Sequence, residues 1–435
     1  MEAQYFMIAG AFLICLPFIN VRMPFLLRNM FIAYTFAIYN LAPLVFFADQ
    51  NEIYQWSLEF ILVLLLFMGG YSIGMRWARR SIQSLAISRP EAAGRDGIWQ
   101  PVLLTLFCAT GVLIIRDIVS YGMVEYYSGL KLVATIQDYG KLNARGALDQ
   151  ILNFVVSTIT IVCLATFVER VNAQRGVSVD PVRHNLKKRT VLRLCAIWLI
   201  VFPILQFSRA GLFYGSITYL AIRTQLIKNV FTLKFIALMG LALLFFVYVG
   251  LVRDQRLGGT ARVNSLFTSE LAPWTAYRDI KENMDKLGYQ HGNTLFLPFV
   301  LKVIPRGLYP DKVQNSAGYY MSVLYPDQFN AGFVVAPTYM GDLYLNFGIC
   351  GVCVCTIIFG VLSGRVDGIL IYQHLQWFGI FIIVFACYIS LLRDSLSNAM
   401  FNLMVAIVLY LFVSKWPSPR SSNTPMRQYS GTQSS

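Results

Sequence analysis

The chain has 435 residues, 57% of them hydrophobic and only 13% charged, with a net charge of +14 at neutral pH. An ordinary soluble domain carries about 25% charged residues, and the apolar stretches here recur at about 18–25 residues without the period-two alternation of a barrel strand, so both a soluble globule and a membrane β-barrel are excluded. The basic excess sits in short loops between apolar segments, which is how a membrane protein is oriented and argues against nucleic-acid binding.

From the N-terminus, Met1-Glu2-Ala3-Gln4 has no basic region and no small-residue cleavage site, which predicts a retained first helix rather than a signal peptide. About eleven spans are predicted, near 4–20, 25–47, 56–75, 99–119, 150–168, 193–208, 211–227, 233–252, 338–363, 375–392 and 397–414. The fold class is therefore all-α, a polytopic integral membrane protein. Residues 1–252 hold eight helices, 253–337 a large loop, 338–415 three more helices, and 416–435 a polar, disordered tail. Arg76, Arg79, Arg80, the run from Arg170 to Arg193, Arg223, Lys228, Arg365 and Lys415 all fall on one side of this arrangement. The positive-inside rule makes that side cytoplasmic, with the N-terminus outside and the C-terminus inside.

All eight cysteines lie within apolar runs. Cys350, Cys353 and Cys355 have a metal-like spacing but sit mid-helix, where cysteine acts as a small hydrophobe. Paired Gly/Pro interruptions and strongly acidic mid-span positions, the marks of an ion-coupled transporter, are not evident; Glu59 is the nearest and lies close to a helix end.

Orientation makes the outer arginines conspicuous. Arg116, Arg209, Arg253, Arg256 and Arg393 lie within about a turn of the outer ends of different spans, and Arg306 lies in the large loop. Short outer loops are normally poor in arginine, so Arg209 and Arg393 work against topology. Arg116-Asp117, Arg253-Asp254 and Arg393-Asp394 are adjacent pairs, consistent with a structural use. A set of guanidinium forks on separate helices also suits the bidentate binding of a lipid-linked phosphate or diphosphate.

The large loop is rich in aromatics, among them Trp274, Tyr309, Tyr319 and Tyr320, which suit either stacking on sugar rings or an interfacial belt. Leu295–Leu301 is too short to span and contains Pro298, so it predicts a re-entrant or interfacial piece packed on the helices. Pro305 and Pro310 flank Arg306 and stiffen its backbone. His291 is the sole histidine on the outer side and a candidate general base. Asp342 and Asn346 share a helix face at the start of the ninth span; Asp342 either favours the helix dipole there or serves as a second base. No acidic metal motif occurs, so a mechanism without metal or cofactor is expected.

Four features lead further: the S-R-A-G turn at 208–211, the loop ending in I-P-R-G-L-Y-P-D-K, the helix start P-x-x-x-G-D-L-Y-L-N-F-G-x-x-G, and the outward R-D-S-L-S-N at 393–398. In their order and sidedness the chain resembles the Wzy-type O-antigen and oligosaccharide repeat-unit polymerases of bacterial inner membranes. The first five spans match only in general character. The resemblance implies a GT-C-like, metal-independent, inverting glycosyltransferase. It would move a growing glycan from undecaprenyl diphosphate to a new lipid-linked repeat unit at the periplasmic face, with a chain-length regulator as a further partner. It implies diphosphate contacts for Arg209, Arg306 and Arg393, which match the family's arginine positions; Arg253 and Arg256 join them on position alone. Asp342 stands where glutamate is more usual, and His291 is analogous to the loop histidine of O-antigen ligases. An O-antigen ligase and a flippase of lipid-linked sugars are the alternative readings.

Overall fold

The computed structural model describes residues 2–20, 26–46, 50–85, 99–121, 144–173, 181–205, 209–226, 233–256, 263–302, 304, 312–330, 334–372 and 378–415. All regular structure among them is helical: α1 (Glu2–Cys15), α2 (Leu27–Phe36), α3 (Gln50–Leu85), α4 (Trp99–Tyr121), α5 (Ala144–Ala173), α6 (Pro181–Ala196), α7 (Arg209–Leu226), α8 (Leu233–Arg256), α9 (Val263–Glu282), α10 (Met284–Leu287), α11 (Phe296–Leu301), α12 (Ser316–Leu324), α13 (Pro326–Asn330), α14 (Thr338–Ile371), α15 (Phe378–Arg393) and α16 (Leu396–Lys415). Three described stretches are long and apolar enough to cross a membrane by length and composition: Asn51–Ser81, Thr338–Ile371 and Leu396–Val413. Five more of the predicted spans coincide with shorter apolar helices, among them Val102–Arg116 and Phe378–Arg393; those predicted at 25–47, 193–208 and 211–227 match no apolar helix of this kind among the described residues.

Two of the helices widen before a proline. α2 runs through a π-helical turn at Ala37–Leu41 into Ala42-Pro43, and α6 through one at Ile197–Val201 into Phe202-Pro203. A proline lacks the N–H of an ordinary turn and crowds the carbonyl four residues back, and a wider turn relieves both problems.

The centre of the molecule is the crossing of α3 and α14, built from glycine. A Cβ on Gly70 would lie 2.2 Å from the Ile357 carbonyl oxygen, and one on Gly74 would lie 2.1 Å from that of Val361. Reciprocally, a Cβ on Gly360 would meet the Phe67 carbonyl oxygen at 2.3 Å and one on Gly364 that of Tyr71 at 2.2 Å. Two G-x-x-x-G faces therefore bring the backbones together. In lipid there is little hydrophobic drive for helix pairing, and close backbone packing takes its place. Elsewhere on α14, Val354, Ile358 and Leu362 are exposed at four-residue spacing, a stripe suited to lipid.

Carboxylates tie helix starts to neighbouring helices. Asp367, fully buried on α14, accepts from Leu27 N at 2.9 Å, Arg28 N at 3.2 Å and the Tyr71 hydroxyl at 3.1 Å, capping α2. Glu169 of α5 accepts from Gly379 N at 3.1 Å and from the Tyr410 hydroxyl, capping α15 at the same end. Asp342 caps α16 at the opposite end of α14.

The segment following α8 packs onto this frame. Trp274 and Tyr277 of α9 are fully buried: Trp274 stacks on Phe46 at 5.6 Å between centroids, and both meet Trp56 edge-on at 5.7 and 5.3 Å. Lys281 pairs with Glu59, its ammonium 4.4 Å from the Trp56 ring centroid, and Arg278 bridges to Glu52 at 3.0 Å. A second small core joins Ile280 of α9 and Leu345 of α14 to Leu287, Tyr320 and Met321 of the segment between them.

Candidate functional site

The site is organised by one interruption in α14. Gly348 has φ 64° and ψ −161°, a backbone region essentially reserved for glycine. The break interrupts the helical hydrogen-bond ladder, so the carbonyls of Leu345 and Asn346 become available to another segment. They accept the backbone N–H groups of Gln290 at 3.0 Å and His291 at 3.1 Å. The Asn346 side chain reinforces the junction. Its Oδ1 accepts from Gly292 N at 2.9 Å and from the Thr294 hydroxyl at 3.1 Å, while its Nδ2 donates to the Asp342 carbonyl at 2.7 Å.

Residues 288–294 are thereby clamped against the helix break. His291, with φ 48°, holds a left-handed conformation that a non-glycine residue adopts only under constraint. Its imidazole is exposed, beside the Tyr289 ring at 6.5 Å between centroids. The Tyr289 ring also occupies the space beside Gly348, 3.2 Å from where a Cβ would stand.

One turn before Asn346 lies Asp342, closed to solvent. Its Oδ2 accepts the Leu396 N–H at the start of α16, where the positive end of that helix dipole favours a carboxylate. Ser316 and Ser395 flank the group, and Oδ1 has no hydrogen-bond donor. Arg393, half-buried, is the last residue of α15, three residues before Leu396. α11 packs along α16, with Phe299 edge-on to Phe401 at 6.0 Å. Lys302 donates to Asn402 Oδ1 at 3.1 Å and the Asn398 carbonyl at 3.4 Å. Burial, with Lys312 nearby, pushes the Lys302 ammonium down to about 8.

Between the clamped turn and α12 opens a cleft of about 470 Å³. Its polar lining consists of the carboxamides of Gln290, Asn293 and Gln314 and the hydroxyls of Thr294, Tyr319 and Ser322. Leu297 and Val313 supply an apolar wall. The floor is rigid: Thr294 is 2% exposed and hydrogen-bonded to Ser316 Oγ at 3.1 Å as well as to Asn346. Tyr319 is held by a bond from its hydroxyl to the Leu287 carbonyl at 2.8 Å.

The structure sorts the sequence-predicted residues. His291, Asp342 and Arg393 gather about the first turns of α14 and α16, and Tyr319 faces the cleft. Trp274 and Tyr320 do not serve as stacking platforms in this conformation; both are fully buried, because large aromatics are what anchor the segment to the helices and to the second small core. Asp342, expected either to favour a helix dipole or to serve as a second base, is a buried carboxylate that caps α16. Arg209 begins α7, and Arg253 and Arg256 end α8, but their side chains lie outside the described residues, as do Arg306 and Tyr309 entirely. Sequence reasoning missed Asn346 as the hub, Lys302, and the carboxamides of the cleft. The N-F-G step at 346–348 was the available signal, since a glycine inside a helical pattern often marks a close approach.

Comparison with protein-family models, with characterised proteins and with solved structures returns no match for this chain.

Proposed function

We propose that this protein is a polytopic membrane glycosyltransferase of the GT-C-like kind. It lengthens a surface polysaccharide by moving the growing glycan from undecaprenyl diphosphate onto a lipid-linked repeat unit. On this proposal the predicted eleven-span topology holds, with the N-terminus and the large loop on the periplasmic face of a bacterial inner membrane. One arrangement carries the proposal: an exposed histidine on a turn clamped to α14, next to a hydrogen-bonding cleft whose described lining is uncharged, with Arg393 ending α15 just before the helix that Asp342 caps.

In the reaction the acceptor hydroxyl oxygen forms a bond to the anomeric carbon of the donor while the bond from that carbon to the diphosphate oxygen breaks. His291 takes the hydroxyl proton, since Asp342 is closed and already engaged. Negative charge collects on the departing diphosphate, where Arg209, Arg253, Arg256, Arg306 and Arg393 are placed by sequence to oppose it.

The decisive measurement incubates the purified protein in detergent with undecaprenyl-diphosphate-linked repeat units. The expected product is a ladder of chains longer than one repeat. Transport of the same lipid across vesicles without any ladder overturns the polymerase and favours a flippase. Transfer only to a lipid A core favours a ligase. Arg209→Lys, which keeps the charge but loses the fork, is expected to slow elongation about 100-fold or more.

A further inference from the structure

We infer that the cleft between the clamped turn and α12 is a subsite for one uncharged sugar ring, and that Gln314 and Asn293 read its hydroxyl or acetamido groups. The inference rests on the glycosyltransferase reading for its biological context, and on the lining of the cleft for its chemistry.

Among the described residues no lining side chain carries a formal charge; the polar groups are three carboxamides and three hydroxyls. A phosphate or diphosphate needs cations or a converging set of N–H donors, so the lipid diphosphate belongs elsewhere. An acidic sugar would bring a carboxylate into a cleft whose described lining offers no cation to offset its desolvation. A neutral ring has alternating hydroxyl donors and acceptors, and amide and hydroxyl side chains both give and accept. Leu297 and Val313 offer an apolar surface to the C–H face of such a ring, and the volume is in the usual range for ligand clefts, roughly 300–1,000 Å³.

Two details point to a bound partner. Gln314 Oε1 is closed to solvent without a donor, a state that normally costs roughly 1–3 kcal/mol and is relieved if the side chain turns its oxygen to a hydroxyl in the cleft. Asn293 holds its backbone by donating to the Gln290 carbonyl at 2.8 Å while its side chain stays exposed at the rim. Beneath them the floor is fixed, because Asn346 Oδ1 can only accept and therefore orients the Thr294 proton inward. A pre-ordered floor with the Asn293 and Gln314 carboxamides above it, and the Gln290 carboxamide held by the Leu287 and Gly288 carbonyls, suits recognition of a small rigid ring.

The test uses the full-length protein in lipid nanodiscs and saturation-transfer NMR with three free disaccharides: cellobiose, N,N′-diacetylchitobiose and digalacturonic acid. At least one neutral probe is expected to bind, and the acidic one about tenfold more weakly or not at all. Gln314→Leu and Asn293→Leu are each expected to weaken the neutral probe roughly three- to tenfold, the worth of one neutral hydrogen bond. The Asn293 variant, altered only at the exposed rim, guards against a folding defect. Failure of both neutral probes to bind overturns the inference, as does unchanged affinity in both variants or equal binding of the acidic disaccharide. These outcomes are separate from the fate of the polymerase: a chain ladder with unaltered sugar affinity in the variants removes the subsite only, and sugar binding without a ladder removes the polymerase only.

Discussion

At one end of α14, Asp367 accepts hydrogen bonds from two backbone N–H groups and the Tyr71 hydroxyl; at the other, Asp342 accepts one from Leu396 and leaves Oδ1 without a donor. Both carboxylates are fully buried, and both cap the start of a different helix. Their surroundings differ. Asp367 lies next to a glycine-built crossing in which the backbones of α3 and α14 touch. Asp342 lies where α14 breaks, where His291 and Thr338 hold left-handed backbone and three separate segments meet. Saturated buried groups hold a structure together, whereas unsaturated and strained ones cluster where a site needs a particular shape. One helix therefore has a structural end and a candidate working end.

The comparison breaks most sharply at the glycines. Gly364→Val places a side chain where only 2.2 Å separates the Cβ position from the Tyr71 carbonyl oxygen, so loss of more than about 3 kcal/mol is expected. Detergent size-exclusion and thermal unfolding should show a collapsed midpoint and an aggregated protein; a normally folded variant would mean the two backbones do not touch. Next in size, Asp367→Ala strands three donors and is expected to lose about 3–5 kcal/mol. Asp342→Ala removes one backbone cap and is expected to lose about 1–2 kcal/mol. Equal losses in denaturant titration would erase the distinction between the two ends.

Smaller effects sharpen the working end. Asn346→Leu removes the hub of the clamp, and amide exchange at residues 290–294 should rise about tenfold or more while residues 350–371 keep their protection. Unchanged exchange would show that the helix break alone holds the turn. The smallest effect is one of pH. Lys302 is held at about 8 in the folded protein against an ordinary 10.5. Its charged form is thus disfavoured by folding, so the penalty is fully present below about pH 8 and is relieved as pH rises toward 10.5. Thermal midpoints measured between pH 7.5 and about 10 should rise more in the unaltered protein than in Lys302→Met. Parallel curves would place the ammonium in water.

Much of the site's frame was legible in the residues. The helix start at Thr338, the shared face of Asp342 and Asn346, and the singular His291 all followed from local pattern, and the structure brings them together. The aromatics of the loop were not separable: Trp274, Tyr319 and Tyr320 look alike in sequence, yet only Tyr319 reaches the cleft. Gly70, Gly74, Gly360 and Gly364 were readable as two small-residue faces, and their pairing with each other was not.

The amino-acid sequence by itself determined the helical, membrane-like character of this protein. Apolar run length and the need to satisfy every backbone group within one segment are local properties, and they leave helices as the solution. Only the tertiary structure decided which carboxylate caps which helix, which aromatics become core, and where a neutral cleft opens. Those outcomes hang on contacts between distant positions, such as Leu27 with Asp367 and Gly292 with Asn346, whose partners no local pattern specifies.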